Sequence, residues 1–137
     1  MELNDALYSY LSSYSGLTAL VSNRIYPDKL PDKCPLPAVT YQLISEEETE
    51  TFHQPTVDLL AAVYSITVWA STRATANAAG KQLRQAFKNY SGTMGGIGGV
   101  SVSAIRKVSR ITDIDLTREG AVIAYKDVQD FEIWYSE

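Results

Sequence analysis

The sequence has a single cysteine, Cys34, and a single histidine, His53, among its 137 residues. One cysteine forms no intrachain disulfide, so the fold is not expected to need an oxidising compartment. A zinc site would be predicted by Cys-x-x-Cys or His-x-x-x-His spacing, and the sequence has neither. A catalytic serine with His53 as its base is expected in a Gly-x-Ser-x-Gly motif, which is also absent. We therefore expect no catalytic residues, no metal and no cofactor, and we expect that the protein is not an enzyme.

Basic charge and long apolar runs are also scarce. The chain carries 12 basic and 16 acidic residues, a formal net charge of −4, so no overall basic excess predicts specific nucleic-acid binding. The N-terminal sequence MELNDALYSYL lacks the basic lead and apolar core of an export signal. No apolar run approaches the roughly 20 residues that span a bilayer. We expect no membrane partner and a soluble protein that stays in a cytoplasm.

The composition that remains is typical of a folded globular protein. Hydrophobic residues make up 45% and charged residues 20% of the chain, a balance that supports a buried core rather than disorder. The length fits one folding unit of ordinary size. We therefore expect a single domain that spans residues 1–137.

Two stretches have helical periodicity. In the first, apolar residues recur at helical spacing (Leu3, Leu7, Leu11, Tyr14), and Ser15-Gly16 is expected to cap its C-terminus before a second short turn at 17–21. The main helix is predicted within 71–90, with Ser71 or Thr72 as its N-cap. Its apolar face consists of Ala76, Ala79, Leu83, Ala86, Phe87 and Tyr90.

Four segments read as strands: 37–45, 59–70, 100–114 and 121–135. Their apolar residues alternate with polar ones, and a slip in that alternation near Ile105 predicts a bulge. Phe131, Ile133 and Tyr135 are predicted to point inward. The four glutamates between Glu46 and Glu50, followed by Pro55, predict a loop over 46–58 rather than a longer strand.

This order of elements predicts an α+β fold. We expect a mostly antiparallel sheet of about four to five strands, with the long helix on one face and a short N-terminal helix beside it. Trp69 and Trp134 fall on the polar phase of their strands. Two tryptophans on a sheet face indicate a surface that binds a partner, since aromatic residues are enriched in interfaces.

Three segments have a chemical interpretation beside a structural one. The sequence GTMGGIGG resembles a phosphate-binding loop, but such loops follow a strand and precede a helix, whereas here the order is reversed. The sequence EEETE offers carboxylates to a hard cation but lacks the spacing of a calcium loop. The basic residues of the main helix (Arg73, Lys81, Arg84, Lys88) gain functional meaning only if they line a channel.

The chain resembles the tail completion, or tail terminator, proteins of long-tailed bacteriophages. The resemblance covers nearly the whole chain and rests on the order of four stretches: LTALVSNRIYP, LPAVTYQLIS, YSITVWASTRATANAAGKQLRQAF and DFEIWY. The polar stretch SEEETETFHQPTVD lies where such proteins carry a long loop. None of these stretches is a catalytic signature.

The resemblance implies a structural virion protein. Family members look like small α+β subunits of a hexameric ring that caps the tail tube and joins the tail to the head connector, although subunits in solution can be monomeric. The implied partners are the tail tube protein, the head–tail connector protein and further copies of the chain. The implied location is the head-proximal end of the tail in a virion assembled in the bacterial host cytoplasm.

The resemblance also suggests roles for two loops. The proline-punctuated stretch 24–41 would be an extended arm that is held away from its own core and reaches a neighbouring subunit. The docking segment for tube or connector is predicted at the acidic loop: Glu46, Glu47, Glu48, Glu50, Phe52 and His53.

Two other functions remain open at this stage. One is another head–tail adaptor, or neck protein, of a phage, which would differ in symmetry and binding partner. The other is a small nucleotide-binding enzyme that uses the glycine stretch, which nucleotide titration by calorimetry would reveal.

Overall fold

The computed structural model describes residues 2–49, 59–116, 120 and 122–136. Three helices lie on one face of a six-stranded sheet. The helices are α1 (Leu3–Ser13), α2 (Ser15–Val21) and α3 (Arg73–Phe87), and the strands are β1 (Ile25–Pro27), β2 (Ala38–Thr49), β3 (Leu59–Ala70), β4 (Gly92–Met94), β5 (Val100–Leu116) and β6 (Val122–Ser136). The predicted α+β class is confirmed.

The sheet order is β1-β2-β3-β6-β5-β4. All neighbouring strands run antiparallel except β1, which pairs parallel with β2 through Ile25–Pro27. The sheet is therefore mixed and has more strands than predicted. The two additional strands, β1 and β4, are three residues long and lie at opposite edges.

The core lies between the helices and the sheet. β3 alternates half-buried and buried residues from Ala61 to Ala70. α3 contacts β3 and β6 through its buried alanines, Leu83 and Phe87. Phe131, Ile133 and Tyr135 are each at most 2% exposed, so their predicted inward orientation is confirmed. The ring centroids of Phe87 and Phe131 lie 4.8 Å apart, which places the C-terminal end of α3 over β6.

Helix α3 begins where the sequence predicted. The Oγ1 of Thr72 accepts a hydrogen bond from the backbone N–H of Thr75 at 3.2 Å, so Thr72 rather than Ser71 is the N-cap. The prediction that Ser15-Gly16 caps the first helix is wrong. α1 ends at Ser13, and Ser15 and Gly16 open α2.

The loop predicted from Glu46 onward starts later than expected. β2 continues to Thr49 and pairs with β3 through Leu59. Strand pairing tolerates this acidic run because the side chains of successive residues point to opposite faces, so Glu47 is separated from Glu46 and Glu48. The rest of the predicted loop, 50–58, lies outside the described residues.

The predicted bulge in β5 is present. The pairing of β5 with β6 shifts between Val102 and Ala104, and again between Lys107 and Ser109. Because the first shift comes just before Ala104, this residue is exposed instead of continuing the buried series of Val100 and Val102.

The proline-punctuated stretch is not an arm held away from the molecule. Ile25 is 3% exposed, β1 pairs with β2, and the Arg24 Nε donates to the Pro37 carbonyl at 2.8 Å. The Leu36–Pro37 peptide bond is cis. Both ends of the stretch therefore belong to its own sheet, and 28–37 connects them.

Candidate functional site

The glutamates of the predicted docking segment lie at the end of β2. Glu46, Glu47 and Glu48 are exposed, and Thr49 is the last residue of the strand. The other three predicted site residues, Glu50, Phe52 and His53, lie outside the described residues. The structure thus brings three of the six together on one strand.

An acidic pocket adjoins these glutamates on the helix-bearing face. Its volume is about 380 Å³, and its carboxylates come from Glu2, Asp28 and Glu46. The Tyr135 hydroxyl donates a hydrogen bond to Glu46 Oε1, and the Tyr64 hydroxyl donates to Asn4 Oδ1 at 3.0 Å. Burial, with a further contribution from the charge of Glu46, raises the pKa of Tyr64 to about 12. Tyr64 thus remains a neutral donor at physiological pH.

A larger, basic groove lies toward the opposite edge of the sheet. It separates α3 from β5, and its volume is about 580 Å³. We call it the basic groove. Its cationic side chains are Lys81 and Arg84 of α3, Lys88 at the C-cap of α3, and Lys107 of β5, and Arg106 also contributes to its lining.

The basic groove forms because α3 covers β3 and β6 but not β5. Residues at spacings of three and four positions share one face of a helix, so Lys81, Arg84 and Lys88 form a row along the flank of α3. The strand β5 then supplies the second wall. The stripe that the sequence left without a role therefore does line a channel, while Arg73 of the same stripe lies elsewhere and donates to the Lys126 carbonyl at 3.0 Å.

The floor of the basic groove is apolar and its charges are poorly neutralised. Phe87, Ile105 and Phe131 contribute to its lining. None of the described residues that line it is acidic, and the Arg84 Nη1 is buried without a hydrogen-bond partner among the described residues. A buried guanidinium N–H that lacks an acceptor costs free energy, so the groove favours a ligand that brings carboxylate or other anionic oxygen.

The one carboxylate close to this wall belongs to the other face of the sheet. Glu132 lies 3.8 Å from an Arg106 guanidinium nitrogen, and the Arg106 side chain remains 65% exposed. The Arg106 guanidinium also lies 5.9 Å from the centroid of the Trp134 ring. Because Glu132 and Trp134 alternate with the buried Phe131, Ile133 and Tyr135, the Arg106 guanidinium lies on the helix-free face of the sheet and not in the groove.

A third charged group, beside the groove, is structural rather than open. Asp127 is fully buried and its Oδ2 accepts from Arg110 Nη2 at 2.6 Å and from Arg110 Nε at 3.0 Å. The Gln129 amide donates to Asp127 Oδ1 at 3.0 Å and to the Gly80 carbonyl at 2.9 Å. This network ties β5 and β6 to α3 and leaves no free charge for a ligand.

The two tryptophans lie on the sheet face that carries no helix, as predicted. Each already has an intramolecular cation on its ring: Lys126 Nζ lies 5.0 Å from the Trp69 centroid, and Arg106 lies over Trp134. The Trp69 Nε1–H donates to Thr40 Oγ1 at 3.0 Å. Their use in binding a partner remains a prediction.

The glycine stretch connects α3 to β5 through β4 and a tight turn. Gly95, Gly96 and Gly98 have positive φ angles, which glycine adopts without strain. A helix precedes the turn and a strand follows it, so no helix N-terminus faces it. Among the described residues, no group of three or more His, Cys, Asp or Glu side chains could hold a metal, and no helix is long and apolar enough to span a membrane.

Sequence reasoning found one wall of the basic groove and missed the other. Ile105, Arg106, Lys107 and Phe131 were assigned only to strands. Arg106 and Lys107 are adjacent cations in an otherwise alternating strand, which indicates that both faces of β5 are accessible to solvent. Only the pairing of β5 with β6 shows that α3 is the helix next to β5.

Comparison with known proteins identifies the family. Residues 5–136 match the model of the family described as "Tail completion protein gp17". The chain belongs to this family of structural phage tail proteins. The match extends over nearly the whole chain and confirms the resemblance to tail completion proteins.

The fold also matches a solved structure of a virus-like particle. A chain of the structure titled "Virion of native gene transfer agent (GTA) particle" aligns with a TM-score of 0.67 and 18% sequence identity, over 98% of this chain and 95% of that chain. At this identity the likeness shows a shared fold. No curated protein matches the sequence.

Proposed function

We propose that this tail completion protein assembles as a ring, with six copies expected, that caps the tail tube and joins the tail to the head connector. The match of residues 5–136 to the tail completion family carries this proposal. The full-length likeness to a chain from a gene transfer agent virion supports a place in a virion. The expected location is the head-proximal end of the tail, after assembly in the host cytoplasm.

We further propose that the protein acts through contacts and not through catalysis. Its two prominent cavities have opposite charges: carboxylates line one and cations line the other. Surfaces of opposite charge steer and orient binding partners. The partners proposed are the tail tube protein, the connector protein and other copies of this chain.

The β2–β3 connection is the proposed docking segment for the tube or connector. Glu46, Glu47 and Glu48 at its base are exposed, and Glu50, Phe52 and His53 follow in the sequence. Exposed carboxylates at the end of a hairpin suit a partner with basic residues, since complementary charge speeds association and excludes wrong partners.

Imaging of purified tails tests the function. Tail tubes that lack this protein are incubated with it and viewed by electron microscopy, and we expect ring-shaped density at one end of each tube. Tubes alone and tubes with a heat-unfolded sample are the controls. Binding to isolated connectors but not to tubes would instead identify a head–tail adaptor, and binding to neither would contradict the proposal.

A further inference from the structure

We propose that the basic groove binds the acidic end of β2 from a second copy of this chain, which adds to the sheet as an antiparallel strand beside β5. This inference rests on the proposed function, in which copies of the chain form a ring, and it names the contact between neighbouring copies. It joins two observations made on opposite edges of the sheet: the unpaired Arg84 nitrogen in a groove of cations, and the exposed carboxylates of Glu46–Glu48.

Both edges have an open stretch of strand. β1 pairs only with Val39–Tyr41 of β2, and β4 pairs only with Val100–Val102 of β5. On their outer sides, 42–49 of β2 and 103–116 of β5 therefore have no neighbouring strand among the described residues. Backbone N–H and C=O groups on such edges are available to a strand from another molecule.

The two open stretches lie at the same level along the sheet. Following the strand pairing across β3 and β6, Glu46 is level with Ile105 and Leu43 is level with Lys107. The same pairing makes β2 and β5 run in opposite directions. A copy rotated about an axis along the strands thus presents its β2 antiparallel to this β5, without a shift along the axis.

The glutamates of β2 and the basic groove also lie on the same face of the sheet. Glu46 and Glu48 pair with Ala62 and Leu60 of β3, and buried Ala62 faces the helices, so alternation places both glutamates on the helix-bearing face. The basic groove opens on this face, between α3 and β5. A β2 strand added beside β5 would therefore bring Glu46 and Glu48 toward Lys81, Arg84, Lys88 and Lys107. Of the proposed docking segment, Glu47, Glu50, Phe52 and His53 are then left for the tube or connector.

Edge strands that pair indiscriminately cause aggregation, and β5 has two features that limit this. Its pairing is irregular near Ser103 and Val108, and it carries Arg106 and Lys107 between these points. Bulges and edge cations prevent pairing with most strands. An acidic strand is the partner that neutralises them, which explains why the open edge of β2 ends in glutamates.

A second copy is favoured over other acidic partners because both halves of the contact are in this chain. The two surfaces are different and lie on opposite edges, so each copy can bind two neighbours. A contact of this head-to-tail kind forms a closed ring when the rotation per copy fits, and a filament when it does not.

Two charge-reversed proteins test the inference. The groove variant carries Lys81→Glu and Lys88→Glu, and the strand variant carries Glu46→Lys and Glu48→Lys. All four side chains are exposed, so both variants are expected to fold, which circular dichroism checks. The matched control reverses two lysines of the β1–β2 connection, Lys29→Glu and Lys33→Glu, neither of which lines the basic groove or belongs to β2.

Self-association is measured by sedimentation velocity at several protein and salt concentrations. We expect the wild type and the control to associate alike, and less at high salt because exposed charges are screened. Each reversed variant alone should associate at least about tenfold more weakly, because attraction becomes repulsion. An equimolar mixture of the two should recover association, since alternating copies make every contact complementary again.

The same four samples are then added to tail tubes. If the wild type is monomeric in solution, single reversed variants should fail to form rings on tubes while the mixture forms them. Single variants that form rings as well as the wild type, or a mixture that does not recover, would overturn the inference. In that case rings of wild-type protein on tubes would still leave the proposed function intact.

A nucleic-acid titration provides the remaining test. A double-stranded oligonucleotide is added to the wild type and to the groove variant. We expect no saturable binding by either. Binding that is lost in the groove variant, without recovery of association in the mixture, would show that the groove holds phosphates and not a second copy.

Discussion

At the scale of single residues, Gly80 sits where α3 passes over the buried Asp127. A Cβ at this position would lie 2.6 Å from Asp127 Oδ2, and Arg110 and Gln129 hold that carboxylate in place. Gly80→Ala should therefore lower the free energy of unfolding by about 1–3 kcal/mol, as overpacking of a rigid site does. Urea unfolding followed by circular dichroism measures the loss.

Gly16→Ala is the matched control. Its added Cβ would also be close to another side chain, the Oε1 of Gln82 at 2.3 Å, but this atom ends a flexible side chain that can move aside. Because alanine favours the helix more than glycine does, Gly16→Ala should be neutral or stabilising. Equal losses in the two variants would show that the network around Asp127 is not rigid.

Tyr10 and Tyr64 should ionise late. Burial raises the pKa of both Tyr10 and Tyr64 to about 12, with the neighbouring Tyr90 and Glu46, respectively, contributing next. Absorbance at 295 nm against pH should show a late phase that Tyr10→Phe and Tyr64→Phe each reduce. A late phase that neither substitution reduces would contradict these shifts.

The same shifts predict how stability depends on alkaline pH. Between pH 10 and 12 the unfolded tyrosines lose their protons while the folded ones keep them, so the unfolded state binds fewer protons and stability falls as pH rises. The contribution is fully present below pH 10. A melting temperature that is constant from pH 9 to 12 would contradict the shifts.

At the scale of elements, the start of α3 depends on one hydroxyl. Thr72→Ala removes the acceptor for the Thr75 N–H and should lower the free energy of unfolding by about 1 kcal/mol, the usual cost of a lost N-cap. The sequence allowed Ser71 as an equal candidate, and Ser71→Ala is therefore the control with no expected loss. A larger effect at Ser71 than at Thr72 would show that the helix starts one residue earlier.

The long strands and α3 were predictable because each buries a periodic face. β3 alternates from Ala61 to Ala70, and the apolar positions of α3 lie on one side, so packing and periodicity agree. The edge strands β1 and β4 were not predicted. At three residues each they are too short to show alternation, and only their pairing with β2 and β5 defines them.

The acidic end of β2 shows where a local argument fails. Repulsion among adjacent glutamates favours a loop when only sequence neighbours are considered. In the sheet, Glu46 accepts a hydrogen bond from Tyr135, 89 positions away in sequence, and a neighbouring strand satisfies the backbone. The sequence contains both residues, but their proximity depends on the β2-β3-β6 order.

At the scale of the whole molecule, the sequence predicts the α3 side of the basic groove but not the β5 side, because the β5 side depends on the order of the strands. Helical spacing puts Lys81, Arg84 and Lys88 in a row, whereas Lys107 faces them only because α3 leaves β5 uncovered. The function was predicted from the resemblance to a family and not from the groove. The order of several moderately specific stretches indicated the tail completion family, which residues 5–136 then matched.

Hydrogen exchange across the sheet provides a prediction for the assembled protein. In the isolated chain, amides of β3 and β6 should exchange slowest, since strands flank them on both sides and α3 covers them. The outward amides of 42–49 in β2 and 103–116 in β5 should exchange fast. Mass spectrometry of peptides from each strand measures both rates.

Incorporation into tails should then protect both open edges together. If a second copy adds its β2 to β5, protection should appear at 42–48 and at 104–109, because one set of hydrogen bonds involves both stretches. β1 and β4 are already paired on their inner sides and should change little, which makes them internal references. Protection of the β2 stretch alone would mean that a different protein binds there. The proposed addition of β2 from one copy to β5 of another would then be wrong, even if the protein caps tails.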